Sequence, residues 1–156
     1  RNHPGSVSPR IKSNNLLNNA LAMQQAYKRQ AFEALMRNHR GEICECAQSN
    51  FFLVTNGVVR TPPLDAGLLA GVTRAFVLEL AAAEGLHARE ETIQEEDLAN
   101  ADEAFLTSTT REIVPVARVD SLVIGDGRPG PVAKALLALL EQDMHTGADR
   151  LIEPKG

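Results

Sequence analysis

Glu45 stands between Cys44 and Cys46 in a short apolar run. Extended over Ile43 to Ala47, the run would turn successive side chains to opposite faces. The two cysteines then share one face, where small apolar thiols pack readily, and Glu45 stands on the other. A carboxylate on rigid backbone needs solvent or a partner. Glu45 is therefore either an exposed acid on an edge strand or a group set into a pocket. Upstream, Lys12 directly precedes Ser13 and Asn14, residues suited to cap a helix, so its amine sits at a defined element end. Two further runs combine backbone amides with hydroxyls, the donors that a phosphate needs. Gly71-Val72-Thr73 opens a predicted helix, where unpaired amides and the helix dipole favour an anion; the alternative is that Thr73 only caps. Ser108-Thr109-Thr110 closes a predicted strand; the alternative there is a polar turn before Ile113.

A third run, Gly125-Asp126-Gly127-Arg128-Pro129-Gly130, has the spacing of a dinucleotide fingerprint between a strand and a helix. Pro129 stiffens a loop that would have to hug a pyrophosphate, Pro131 removes a helix-start donor, and no βαβ unit can follow so near the end of the sequence. Pro131 also stands where a P-loop needs Lys. The run reads as a glycine-rich turn into the last helix.

Ordinary elements must hold these groups. Ser13 or Asn14 would cap a helix to about Arg29, with Leu16, Leu17, Ala20, Leu21 and Tyr27 near one side and Asn and Gln on the other. Phe32, Ala34 and Met36 alternate with polar neighbours as in a strand, and the Glu45 strand returns from a turn at Asn38 to Gly41. Phe51 to Thr55 and Val58 to Thr61 are predicted strands around Asn56-Gly57, a two-residue hairpin signal. Pro62-Pro63 ends that segment. Val72, Phe76, Leu80 and Ala83 have helical spacing, and Gly85 stops that helix. Then follow a strand over Ala88 to Ile93, a short acidic helix over Glu95 to Asn100, and a strand over Glu103 to Ser108. Short strands over Ile113 to Val116 and Ser121 to Ile124 lead to a last helix from Pro131 to about Asp143. The class is α/β, mixed and α+β-like, with a partly antiparallel sheet.

At 156 residues, 44% hydrophobic and 23% charged, the sequence suits one globular domain with a real core. A net charge of −4 without a basic cluster argues against nucleic acid as a partner. No apolar run reaches the length of a membrane span. Arg1 to Arg10 is polar and Pro/Gly/Ser-rich, which predicts a linker at a domain junction and no signal peptide. The C-x-C spacing suits neither a disulfide nor a zinc knuckle, so reduced, packed thiols in a cytoplasmic protein are expected. His3, His39, His87 and His145 are scattered, and no metal site is expected.

A lysine for an imine, a carboxylate on a strand and two amide-plus-hydroxyl clusters are together what pyridoxal phosphate requires. In the same residues the chain resembles the C-terminal half of fold-type IV pyridoxal-phosphate enzymes: branched-chain and D-amino-acid aminotransferases and aminodeoxychorismate lyases. The resemblance covers roughly Arg10 to Asp143. It rests on Ile11-Lys12-Ser13-x-Asn15-Leu16-Leu17, Glu45-x-x-x-Ser49-Asn50-x-Phe52, Thr61-Pro62-Pro63 and Leu69-x-Gly71-Val72-Thr73-Arg74. It continues in Ala101-Asp102-Glu103-x-Phe105-x-Thr107-Ser108-Thr109, Glu112-Ile113-x-Pro115-Val116 and Gly127-x-x-Gly130-Pro131.

That resemblance implies a linker over 1–11, a cofactor-binding pseudo-barrel domain over 12–144 and a polar tail over 145–156, with the family's smaller N-terminal domain outside this sequence. It implies Lys12 as Schiff-base lysine and proton shuttle, and Glu45 on the pyridine nitrogen. Val72, Thr73, Ser108 and Thr109 would hold the phosphate, Leu69 would lie near the ring, and the amides around Thr109 and Thr110 would face the substrate. The implied reaction moves an amino group between a branched-chain or D-amino acid and a 2-oxo acid, in a homodimer. Two departures stand out. Leu17 occupies the position where branched-chain enzymes usually carry Tyr, and Cys46 replaces a common Gly. A lyase releasing pyruvate by β-elimination, or an inactive cofactor-binding fragment, are the alternatives.

Overall fold

The structure, a computed structural model, describes the backbone of residues 16–152 and the side chains of 16–144. Lys12, the expected caps Ser13 and Asn14 and the expected linker lie outside the described residues. Helix α1 (Leu17–Lys28) leads to strands β1 (Leu35–Arg37), β2 (Ile43–Cys46), β3 (Asn50–Thr55) and β4 (Val58–Thr61). Helix α2 (Val72–Ala83) and strand β5 (Ala88–Glu90) follow, then β6 (Glu103–Ser108), β7 (Glu112–Pro115), β8 (Arg118–Val119), β9 (Leu122–Val123) and helix α3 (Pro131–Ile152).

The central sheet has the order β5-β4-β3-β6-β7, antiparallel except for the β4–β5 pair. Its β3–β4 hairpin turns at Asn56 and Gly57, both at positive φ (51° and 74°). That geometry matches the twist of the flanking strands and favours Asn-Gly. Alternation along β3 and β6 gives the sheet two apolar faces. Phe52, Val54 and Phe105 pack against Val77 and Ala81 of α2 and Ala133, Leu136 and Leu140 of α3. Phe52 and Phe105 are cross-strand partners whose rings stack at 4.8 Å. On the other face, Phe51, Leu53, Ala104 and Leu106 meet Ile43 and Cys46 of β2, Ile93 and Ile124, with Val119 and Leu122 of the β8–β9 hairpin against them. Strands of all three sheets thus wrap one core, as in a pseudo-barrel, and the class is mixed α/β.

Several sequence expectations need correction. Alternation predicted Cys44 and Cys46 on one face. The β1–β2 register instead shifts, pairing Met36 with Glu45 but Arg37 with Ile43, so Cys44 is an extra residue on β2. Such a bulge breaks the two-residue period. Cys44 therefore packs with Met23, Met36, Ala66 and Leu68, while Cys46 joins the core between the sheets.

Helix α1 also turns the other way. Leu16, Leu17, Leu21 and Tyr27 are exposed, and Met23 and Ala26 are buried. Asn19 donates from Nδ2 to the Ala47 carbonyl at 2.6 Å, which draws the side holding Asn19, Ala22, Met23 and Ala26 inward. Phe32 lies exposed ahead of the short β1. Strand β5 stops at Glu90, paired with Thr61, because β4 ends there and Pro62 has no N–H to extend the ladder. The expected strand over Ser121 to Ile124 is the two-residue β9, paired with β8. The last helix continues past Asp143 to Ile152, through much of what was read as a polar tail.

Candidate active site

Strand β2 is buried along its whole length, and Glu45 is 4% exposed. The edge-strand alternative therefore fails. Glu45 Oε2 accepts the N–H of Leu69 at 3.0 Å, which orients the carboxylate. A carboxylate offers about four lone-pair sites, and Glu45 has further interactions beside this bond. The other end of the same residue is held too: Asn50 Nδ2 donates to the Leu69 carbonyl at 2.9 Å. The loop before α2 is thus fixed by two neighbouring strands, through one carboxylate and one amide.

Asn50 also sets the start of α2. A Cβ built on Gly71 would meet Asn50 Oδ1 at 2.1 Å, so only glycine allows this approach. Gly71 is the N-cap, and among the described residues no side chain caps the helix. Val72 is 79% exposed and Thr73 half-buried. Arg74, 4% exposed, anchors the helix below them: its Nη2 donates to the Pro62 carbonyl at 2.8 Å and pairs with Glu90 of β5. Asn50 is also the cross-strand partner of Thr107 on β6. Glu45, Leu69, the α2 start and the end of β6 therefore meet around one asparagine.

At that end of β6, Ser108 pairs with Glu112, leaving Thr109, Thr110 and Arg111 as a three-residue turn closed by Glu112 at φ 54°. Thr109 and Thr110 are exposed. Thr107 Oγ1 and Ser108 Oγ are buried without a hydrogen-bond partner among the described residues. Consecutive strand residues face opposite sides of the sheet, so the two hydroxyls do not serve one ligand. Buried hydroxyls in native structures are nearly always bonded, and Ser108, beside the turn, suits a ligand with acceptor oxygens.

The glycine-rich run before α3 is different. A Cβ on Gly125 would meet the Asp102 carbonyl at 2.1 Å, and Gly130 lies against the Glu103 side chain. Glu103 then accepts the N–H groups of Val132 and Ala133, each at 2.9 Å. An internal carboxylate already holds the α3 start, which leaves no place there for a phosphate and bears out the reading as a turn.

Elsewhere, a cavity of about 830 Å³ opens between α1, β1 and β7, lined in part by Ala26, Phe32, Cys46, Phe51 and Val114. Among the described residues, none of those predicted for the site lines it. Burial pushes the Cys46 thiol well above its ordinary range, and the Glu33 and Glu45 carboxylates add to that. Cys46 is a packing group, not a nucleophile.

Of the residues singled out in the sequence, Glu45, Leu69, Val72, Thr73, Ser108 and Thr109 belong to this neighbourhood, with Thr110 one position further into the turn. Lys12 lies outside the described residues. The reading missed the positional work of Asn50, Thr107, Glu33 and Arg111. Asn50 and Thr107 carried one available signal: each is polar and directly flanks an apolar strand run.

The frame of the site is a mostly antiparallel sheet with both faces covered, which sets a buried carboxylate near the start of α2 and the end of β6. The chain belongs to the class IV aminotransferases, whose family model matches residues 1–119. It is 39% identical over 134 residues to the D-alanine aminotransferase of Bacillus licheniformis, covering 86% of this chain and 47% of that protein. It is 41% identical over 130 residues to a putative branched-chain-amino-acid aminotransferase of Methanocaldococcus jannaschii, covering 83% and 45%. The structure of the branched-chain amino acid aminotransferase of Thermobaculum terrenum in its PLP form superposes with a TM-score of 0.87 at 33% identity, covering 91% of this chain and 47% of that one. The chain thus spans about half the length of the curated relatives it matches.

Proposed function

We propose that this chain is the cofactor-holding half of a pyridoxal-phosphate-dependent aminotransferase, moving an amino group between a branched-chain or D-amino acid and a 2-oxo acid. The observation that carries the proposal is the buried Ser108 hydroxyl, without a hydrogen-bond partner among the described residues. It ends a strand whose Thr107 pairs with Asn50, the residue packed against the Gly71 helix start. When bound, pyridoxal phosphate supplies an electron sink for the charge released at the substrate α-carbon. Val72, Thr73, Ser108 and Thr109 hold its phosphate, and the backbone of Leu69, fixed by Glu45 and Asn50, borders its ring. Glu45 would keep the ring nitrogen protonated, because a buried carboxylate favours a positive partner. Lys12 would hold the cofactor covalently, and its amine would serve as the base for the proton at the substrate α-carbon. The amides around Thr109 and Thr110 face the substrate. The family resemblance adds a homodimer in the cytoplasm. No helix among the described residues is long and apolar enough to cross a membrane.

The test is turnover by the full-length protein with added pyridoxal phosphate. Amino transfer that requires both an amino acid and a 2-oxo acid acceptor is expected. Pyruvate release without an acceptor would indicate the lyase instead, and failure to bind the cofactor would remove the proposal.

A further inference from the structure

Glu33 is an acid that no part of the proposed chemistry uses, yet its side chain is only 2% exposed. It gathers donors from two separate segments. From the segment just before β3 it accepts the Gln48 N–H and, at 2.8 Å, the Ser49 hydroxyl. From the β6–β7 turn it accepts Arg111 Nη1 at 3.3 Å. Arg111 is held from two more sides: Nη2 donates to Gln48 Oε1 at 2.9 Å, and the guanidinium lies 5.0 Å from the centre of the Phe32 ring. The two segments that meet on Glu33 are those that carry the site. Ser49 immediately precedes Asn50, which sets Leu69 and the α2 start. Arg111 immediately follows Thr109 and Thr110.

We infer that Glu33 and Arg111 are positioning residues, forming a brace that holds the β6–β7 turn at the spacing the cofactor phosphate needs. The inference rests on the function proposed above and adds to it how the phosphate turn is kept in place. Neither side chain need touch the cofactor. A three-residue turn ending in a non-glycine residue at positive φ does not hold itself in one conformation. A planar guanidinium with several fixed donors, seated on a buried carboxylate, supplies the missing restraint. Ser108 ends the strand and Thr109 opens the turn, so a turn free to drift would spread the phosphate's donors apart.

The experiment compares pyridoxal phosphate with pyridoxal, which lacks the phosphate, as ligands of the full-length protein. Dissociation constants are measured for the parent, Glu33→Gln, Arg111→Met and Arg111→Lys, and thermal midpoints of the apo forms are recorded beside them. The parent is expected to bind the phosphorylated form far more tightly. In Glu33→Gln and Arg111→Met that preference should shrink about tenfold or more, the scale of one lost charged hydrogen bond, while pyridoxal affinity stays. Arg111→Lys should recover part of it, since a lysine reaches Glu33 but cannot fork to Gln48 as well. A purely structural role would lower the apo midpoints and weaken both ligands alike. A preference unchanged in Glu33→Gln and Arg111→Met overturns the brace and leaves the proposed function standing. A parent without any preference overturns the phosphate site itself, and the brace with it. Should those variants not fold, Gln48→Ala, which removes only an exposed acceptor for Arg111, must still reduce the preference, and an unchanged value contradicts the brace.

Discussion

A carboxylate 4% exposed in an apolar strand is a costly group unless something holds its charge. The Leu69 N–H holds part of it at 3.0 Å, and a protonated ring nitrogen would hold more. Glu45→Gln keeps the shape and an acceptor for Leu69 but removes the charge. Hydrogen bonds between charged groups contribute about 1.5–3 kcal/mol, so turnover should fall by roughly one to two orders of magnitude while the cofactor stays bound. Parent-like turnover by that variant would make Glu45 an ordinary buried acid. Cys46 gives a second prediction at this scale. Its thiol is raised well above the ordinary value of 9.0, so the folded chain keeps a proton that the unfolded chain loses first. Stability contributed in this way is complete below about pH 9 and is lost as the pH rises beyond it. Denaturation midpoints measured from pH 8 to 10 should fall more steeply for the parent than for Cys46→Ala, and native Cys46 should resist iodoacetamide at pH 8. Rapid alkylation in the folded state would contradict the burial argument.

Among the elements, the start of α2 carries the most consequence. Thr73→Ala and Thr109→Ala each remove one hydroxyl but leave the amides, so cofactor affinity should drop roughly tenfold in each without vanishing. Gly71→Ala should do more. Its Cβ would overlap Asn50 Oδ1, and an Asn50 pushed aside releases the Leu69 carbonyl and with it the loop before the helix. Binding titrations of the three variants check the order, and Gly71→Ala binding like the parent would break the link through Asn50. The location of this helix start was legible in the sequence, since the glycine, the apolar spacing from Val72 and the stop at Gly85 are local signals. Its freedom to take a ligand was not. The start of α3 looks equally promising as a string of letters, and it is closed by Glu103, a residue that only the folded sheet brings there. The orientation of α1 was illegible for a similar reason: its leucines follow a helical period, but a polar contact from Asn19 to Ala47 decides which side turns inward.

Across the whole molecule, the strands of the central sheet were readable because β3, β4 and β6 are apolar runs bounded by Asn-Gly, Pro-Pro and a hydroxyl cluster. The bulge at Cys44 was not, because a register shift depends on the partner strand. What converges is a site built from the ends of β2, β3 and β6 and the start of α2, with its covalent anchor assigned to Lys12 by resemblance. The most direct check is to load the full-length protein with pyridoxal phosphate, reduce it with borohydride, digest it and map the modified peptide. The pyridoxyl group is expected on Lys12. Its appearance on Lys28, Lys134 or Lys155 with Lys12 unmodified would contradict the assignment.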